Sequence, residues 1–136
     1  MVNRALAALV VSIAFMSAAV TAQQKPRPKA GGRLQMIATA YCDGGKTDGG
    51  PVARPGMVAA DPRILPLGSV ITIEAPTRSQ YNGTYTVMDT GSAIKGHKVD
   101  IFIPNCAEAK QFGERRVVAR VVQRAAPKKG DAGESR

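Results

Sequence analysis

Between residues 34 and 124 apolar and polar side chains alternate mostly with a period of two, which predicts strands rather than helices. The segment 34–41, LQMIATAY, is the first predicted strand, and a glycine-rich loop at 43–56 follows it. VITIE at 70–74 comes after the turn residues Pro66, Gly68 and Ser69. YTVMD at 85–89 is launched from Asn82-Gly83, a pair that favours a tight hairpin. VDIFI at 99–103 and RVVARVV at 116–122 complete the clear strands, and MVAA at 57–60 is a short additional one. A single helix is predicted over 104–112, with Pro104 near its start and Gly113 just past its end. Five or six short strands and one helix fit a small all-β barrel, closed or nearly closed, which removes exposed strand edges.

The two ends read differently. Arg4, an apolar run over 6–19 and the small residues Val20-Thr21-Ala22 predict an export signal covering residues 1–22. The run is shorter than the ~20 residues of a comfortable membrane span. Gln23 follows the expected cut, so no lipid-bearing cysteine stands there. Residues 23–33, QQKPRPKAGGR, have the composition of a basic linker, and 125–136, AAPKKGDAGESR, that of a disordered tail. The remaining 34–124 is expected to be one domain, exported to the periplasm or cell exterior, monomeric and without stable membrane insertion once the signal is removed. An uncleaved N-terminal anchor is the alternative.

The formal charge of +9 sits largely outside that domain: Arg4 carries +1, the linker +4 and the tail +1, which leaves +3. A nucleic-acid module concentrates its cations on one face and interleaves aromatics, whereas this domain spreads them and has no Trp, so no nucleic-acid partner is expected. Flexible basic arms suit an anionic cell envelope, or simply keep a small domain soluble. Cys42 and Cys106 are the only cysteines, and in an exported chain a disulfide between them is the default. With His97 as the only histidine and no ligand spacing around it, neither a metal nor any other cofactor is expected. His97 falls in Lys95-Gly96-His97-Lys98, which reads as an exposed loop with His97 a solvated turn residue; its lysines could meet carboxylates of a ligand or serve no specific role.

Three aspartates stand where solvated charges are unusual. Asp61 follows VAA and precedes Pro62, Asp89 follows YTVM and precedes Thr90-Gly91, and Asp100 lies between Val99 and Ile101. Each could merely accept backbone N–H bonds and fix a loop.

The stretches TAYC (39–42), VAADPRILPLGS (58–69), YNGTYTVMDTG (81–91), IKGHKVDIFIP (94–104) and FGERRVVARVV (112–122) together resemble the three-aspartate, or 3D, domain family. This family occurs in bacterial stationary-phase survival proteins and in the catalytic part of the membrane-bound lytic transglycosylase A. The resemblance implies a six-stranded double-psi β-barrel with one short helix, its three aspartates converging on one groove. It further implies a peptidoglycan partner and a lytic transglycosylase reaction. The β-1,4 bond from N-acetylmuramic acid to N-acetylglucosamine breaks without water and leaves a 1,6-anhydro ring. Asp100 matches the family's catalytic acid, while Asp61 and Asp89 match residues that line the site. By position and chemistry Thr39, Tyr41 and Thr47 are expected to face the same groove, the alternative for each being an ordinary strand or turn residue. Partial burial and neighbouring carboxylates are expected to raise the Asp100 pKa above the ~3.9 of a free Asp, so that it holds a proton. A non-catalytic peptidoglycan-binding module and an inverting glycosidase are the competing readings of the same barrel.

Overall fold

The computed structural model describes residues 29–128. The expected signal segment, residues 23–28 of the linker and 129–136 of the tail lie outside them. Six strands are present, β1 Arg33–Tyr41, β2 Met57–Ala60, β3 Val70–Glu74, β4 Gly83–Asp89, β5 Lys98–Phe102 and β6 Arg115–Gln123. A 3-10 turn, Ser79–Tyr81, lies between β3 and β4, and the helix α1, Cys106–Phe112, lies between β5 and β6. The strands close into a barrel in the order β1-β5-β2-β4-β3-β6. The pairs β1–β5 and β2–β4 are parallel and the other four antiparallel. This is the all-β barrel that the alternation predicts, in the six-stranded double-psi form with one short helix that the family resemblance implies.

Alternation sorts side chains between the two faces of the barrel wall. On β1, Leu34, Met36 and Ala38 are buried, while Gln35, Ile37, Thr39 and Tyr41 take the outer face. The interior is filled by Val58, Ala60, Ile71, Ile73, Val87, Val99, Ile101, Val117, Ala119 and Val121. Leu65 from the β2–β3 loop and Phe112 from α1 join the same cluster. Fully burying each such Val, Leu, Ile or Phe contributes about 1.5–3 kcal/mol. β2 is buried along its whole length.

Cys42, next after β1, is bonded to Cys106, the first residue of α1, with the Cα atoms 5.1 Å apart. The bridge ties the end of β1 to the segment that follows β5, and closing so long a loop is worth about 4 kcal/mol in the chain-entropy model. Among the described residues no helix is long and apolar enough to cross a membrane.

Three local expectations are corrected. β3 and β4 form an antiparallel pair, but residues 75–82 join them and Asn82 sits at φ −68°, outside the left-handed region that a tight Asn-Gly turn needs. Asn82 serves the backbone instead, its Oδ1 accepting the Ala75 N–H at 2.6 Å. The helix begins at Cys106, not at Pro104, because Asn105 caps it by accepting from the N–H groups of Ala107 and Glu108 at 3.0 and 3.2 Å. Composition assigned residues 31–33 to the linker, yet the Gly31 N–H donates to the Val121 carbonyl at 2.7 Å and Arg33 opens β1.

Candidate active site

On the outer face of β1, β5, β2 and β4 one line of paired positions runs Thr39, Asp100, Ala59, Asp89. Asp100 faces outward because its neighbours Val99 and Ile101 are drawn into the core. Ala59 faces outward for the same reason, between Val58 and Ala60. Asp89 reaches this face through a register shift: Val58 pairs with Val87, but Ala59 pairs with Asp89, so Met88 is the extra residue of a bulge. Strict alternation from the buried Val87 would have sent Asp89 inward, and re-aiming a side chain is a recurrent use of bulges. The backbones of Asp89 and Asp100 flank β2 at two strand spacings, about 10 Å. Only a methyl group stands between the two carboxylates in that line.

The Thr39 hydroxyl donates to Oδ1 of Asp100 at 2.8 Å. One step further along the outer face of β1, Tyr41 packs edge-on against Phe102 with ring centroids 5.3 Å apart. Its hydroxyl is buried and has no hydrogen-bond partner among the described residues.

The loop at 43–56 is pinned to the end of β4. Asp89 Oδ1 accepts from the N–H groups of Asp48 at 3.1 Å and Thr90 at 2.9 Å, and the Thr90 hydroxyl donates to the Asp48 carboxylate. The Gly49 N–H donates to the Met88 carbonyl at 2.8 Å. A Cβ on Gly49 would stand 2.6 Å from the Met88 methyl and 2.8 Å from its carbonyl oxygen, so only glycine allows this approach. Thr47 is buried and its hydroxyl donates to the Pro51 carbonyl at 2.7 Å, which makes it a brace within the loop.

The Asp100 pKa is raised, and burial of its carboxyl is the cause; the Thr39 bond and the charge of Lys98 pull it back down. The rise therefore comes from the burial that the sequence suggested, without the neighbouring carboxylates suggested beside it. Burial, then the charges of Asp89 and Asp100, push the Tyr41 phenol up to about 12, so at neutral pH it is a protonated donor next to both acids.

Asp61 is held differently. Its Oδ1 accepts from Arg63 N and Nε, both at 3.0 Å, and its Oδ2 from the Arg63 guanidinium at 2.7 Å and the Gly96 N–H at 2.8 Å. The Arg63 guanidinium bond, opposed by burial, keeps this carboxyl well below the usual carboxylate range. Asp61 thus ties the β2–β3 loop to the β4–β5 loop through protein donors on both oxygens. Among the described residues no group of three or more His, Cys, Asp and Glu is placed to hold a metal ion.

Of the residues singled out from the sequence, Thr39, Tyr41, Asp89 and Asp100 are brought together on one face, whereas Asp61 and Thr47 are occupied in fixing loops. Lys98, assigned above to a loop, is the first residue of β5 and acts electrostatically on Asp100. Ala59 and Asp48 were missed. Asp48-Gly49-Gly50 had a turn signature that pointed to the loop, but nothing local marks Ala59 as the floor between two acids.

Fold and site define a class: a small closed β-barrel that presents a line of carboxylates and hydroxyls on the outside of four strands. The chain belongs to the 3D domain family, whose domain matches residues 56–123, half of its 136 residues. Thr39, Tyr41 and most of the 43–56 loop precede the matched stretch. Over 66 residues, 48% of this chain, it is 38% identical to the cell wall-binding protein YocH of Bacillus subtilis. It is 36% identical over 66 residues to the putative cell wall shaping protein YabE of the same organism. The match spans 21% and 15% of those two proteins, about a fifth of their length or less. The lytic transglycosylase MltA of Escherichia coli superposes with a TM-score of 0.50 at 22% identity, over 60% of this chain and 28% of that one. An expansin variant of Clavibacter michiganensis, crystallised with cellohexaose, gives 0.50 at 14% identity over 71% and 54%. Both likenesses are of fold.

Proposed function

We propose that this protein acts on bacterial cell-wall peptidoglycan at the cell envelope, and that it cleaves the glycan as a lytic transglycosylase with Asp100 as its acid–base group. The observation that carries this reading is the outward, half-buried carboxyl of Asp100, raised in pKa by desolvation and aligned with Thr39 and Asp89. The names of the two Bacillus subtilis relatives and the disulfide support the cell-wall setting.

In the proposed reaction the protonated Asp100 gives its proton to the glycosidic oxygen, and the bond from carbon one of N-acetylmuramic acid to that oxygen breaks. The 4-hydroxyl of N-acetylglucosamine leaves as positive charge develops at carbon one. The negative charge of Asp89 across Ala59 stabilises it. The substrate's own hydroxyl at carbon six then bonds to carbon one, and its proton returns to the Asp100 carboxylate. Tyr41 supplies a hydrogen-bond donor beside both acids, and Asp61 keeps the two flanking loops in place.

A second reading, glycan binding without cleavage, is favoured by the Thr39 bond and the Lys98 charge, both of which pull Asp100 toward its ionised form. Incubation of the protein with purified peptidoglycan, followed by mass spectrometry of the soluble products, separates the two. Anhydro-muropeptides are expected. A polymer that is bound but unchanged would leave binding alone, and reducing-end products would assign hydrolysis.

A further inference from the structure

We propose that the outer face of β5, β1 and β6 carries a carboxylate-binding subsite beside the reactive line, built on Lys98 and Arg116 flanking Ile37. The inference rests on the peptidoglycan reading above and names the part of that substrate which is gripped. That part is a carboxylate carried by the muramic acid, either its own lactyl group or the stem peptide joined to it.

Ile37 pairs with Lys98 on β5 and with Arg116 on β6, so two cations flank one aliphatic side chain on the outer face. Two residues further along β1, Thr39 pairs with Asp100. The cationic line thus lies one outer-face step, about 7 Å, from the reactive line. A cavity of about 410 Å³ opens here, lined by Gln35, Met36, Ile37, His97 and Arg116. The described ion pairs are Arg63–Asp61 and Arg120–Glu74. Arg120 is thus balanced by a neighbouring strand, whereas Arg116 and Lys98 have no ion pair among the described residues. Arg115, next in sequence, is occupied by the carbonyls of Gln111 and Phe112 and the hydroxyl of Thr77. The Arg116 guanidinium is therefore exposed, unpaired and at the edge of a cavity.

The ligand chemistry follows from these groups. A planar guanidinium matches a carboxylate with two parallel N–H donors, and Lys98 adds a point charge from the other side of Ile37. Gln35 supplies a neutral donor and acceptor, and Ile37 suits a methyl or sugar-ring face. On muramic acid the lactyl group hangs from carbon three of the same ring whose carbon one reacts at Asp100. A carboxylate a few ångströms from the reacting bond is what a cationic line one step from the acid would hold. Neutral chitin-type chains lack it, so the subsite selects muramic acid at the reacting position.

The test is calorimetric binding by the full chain carrying Asp100→Asn, which prevents turnover, with and without Arg116→Gln or Lys98→Gln. Three glycans of equal length serve as probes: denuded GlcNAc–MurNAc strands with free lactyl carboxylates, peptide-bearing strands, and a chitooligosaccharide. Arg116→Gln is expected to weaken a carboxylated strand roughly tenfold and to leave the chitooligosaccharide unchanged, with Arg116→Lys restoring part of the loss. Loss with the denuded strand assigns the lactyl carboxylate, and loss with the peptide-bearing strand assigns the stem peptide. If both Gln variants bound all three probes like their parent, the subsite would be overturned while the peptidoglycan reading stood. If the parent bound none of them, both would fall.

Discussion

The Thr39 hydroxyl hydrogen-bonds Oδ1 of Asp100 across the parallel pair β1–β5, at 2.8 Å, and thereby opposes burial in setting where Asp100 releases its proton. The bond favours the ionised acid, so removing it raises the Asp100 pKa further. Thr39→Val should shift the alkaline limb of the pH–activity profile upward while leaving the fold intact. An unmoved or lowered limb would mean that Asp100 is not the group titrating there.

Asp100→Asn retains the shape of the side chain and removes its proton. Release of anhydro-muropeptides should fall by ~10²–10⁴-fold, the usual worth of general acid–base catalysis. Thermal unfolding and binding to insoluble peptidoglycan should be close to wild type. A folded variant with wild-type turnover would eliminate the mechanism.

Asp61 predicts a stability effect rather than a catalytic one. Its folded-state pKa lies below its unfolded value, so the folded state binds fewer protons, and the stabilisation is present above about pH 4 and lost as the pH falls. Asp61→Asn should cost about 2 kcal/mol at neutral pH, as expected for charged hydrogen bonds to Gly96 and the Arg63 backbone. It should also flatten the acid limb of the stability curve, measured by urea unfolding between pH 3 and pH 7. A variant with the wild-type pH dependence would contradict the assignment.

Gly49→Ala places a methyl against the backbone of Met88 and must push the 43–56 loop away from β4. Loss of activity is expected without loss of the core. Hydrogen exchange should show faster amides at Asp48 and Gly49 and unchanged protection in β1 and β6.

How far the sequence could be read depended on whether a feature obeys alternation. The strands of β1, β3 and β6 were legible because their buried residues repeat every second position. Asp100 was legible because a charge between Val99 and Ile101 has only the outer face to go to. Asp61 looked similar in sequence, and three of its four donors come from Arg63 two positions on, but the fourth, the Gly96 N–H, is a contact across 35 positions that no local pattern encodes. The cause of the Asp100 shift was legible only in part, since burial could be anticipated while Lys98 was read as a loop residue. Thr47 looked like a groove hydroxyl because its partner, the Pro51 carbonyl, is a property of loop closure.

The bulge at Met88 gives Asp89 a second duty. A ladder free of the bulge would pair Met88 with Ala59 and carry Asp89 to the Val87 side, into a wall of aliphatic carbon where a charge is not tolerated. The competing register is thus ruled out by the carboxylate itself. The side chain to which the proposed reaction assigns charge stabilisation is thus also a folding instruction, and neutralising it is expected to relax both.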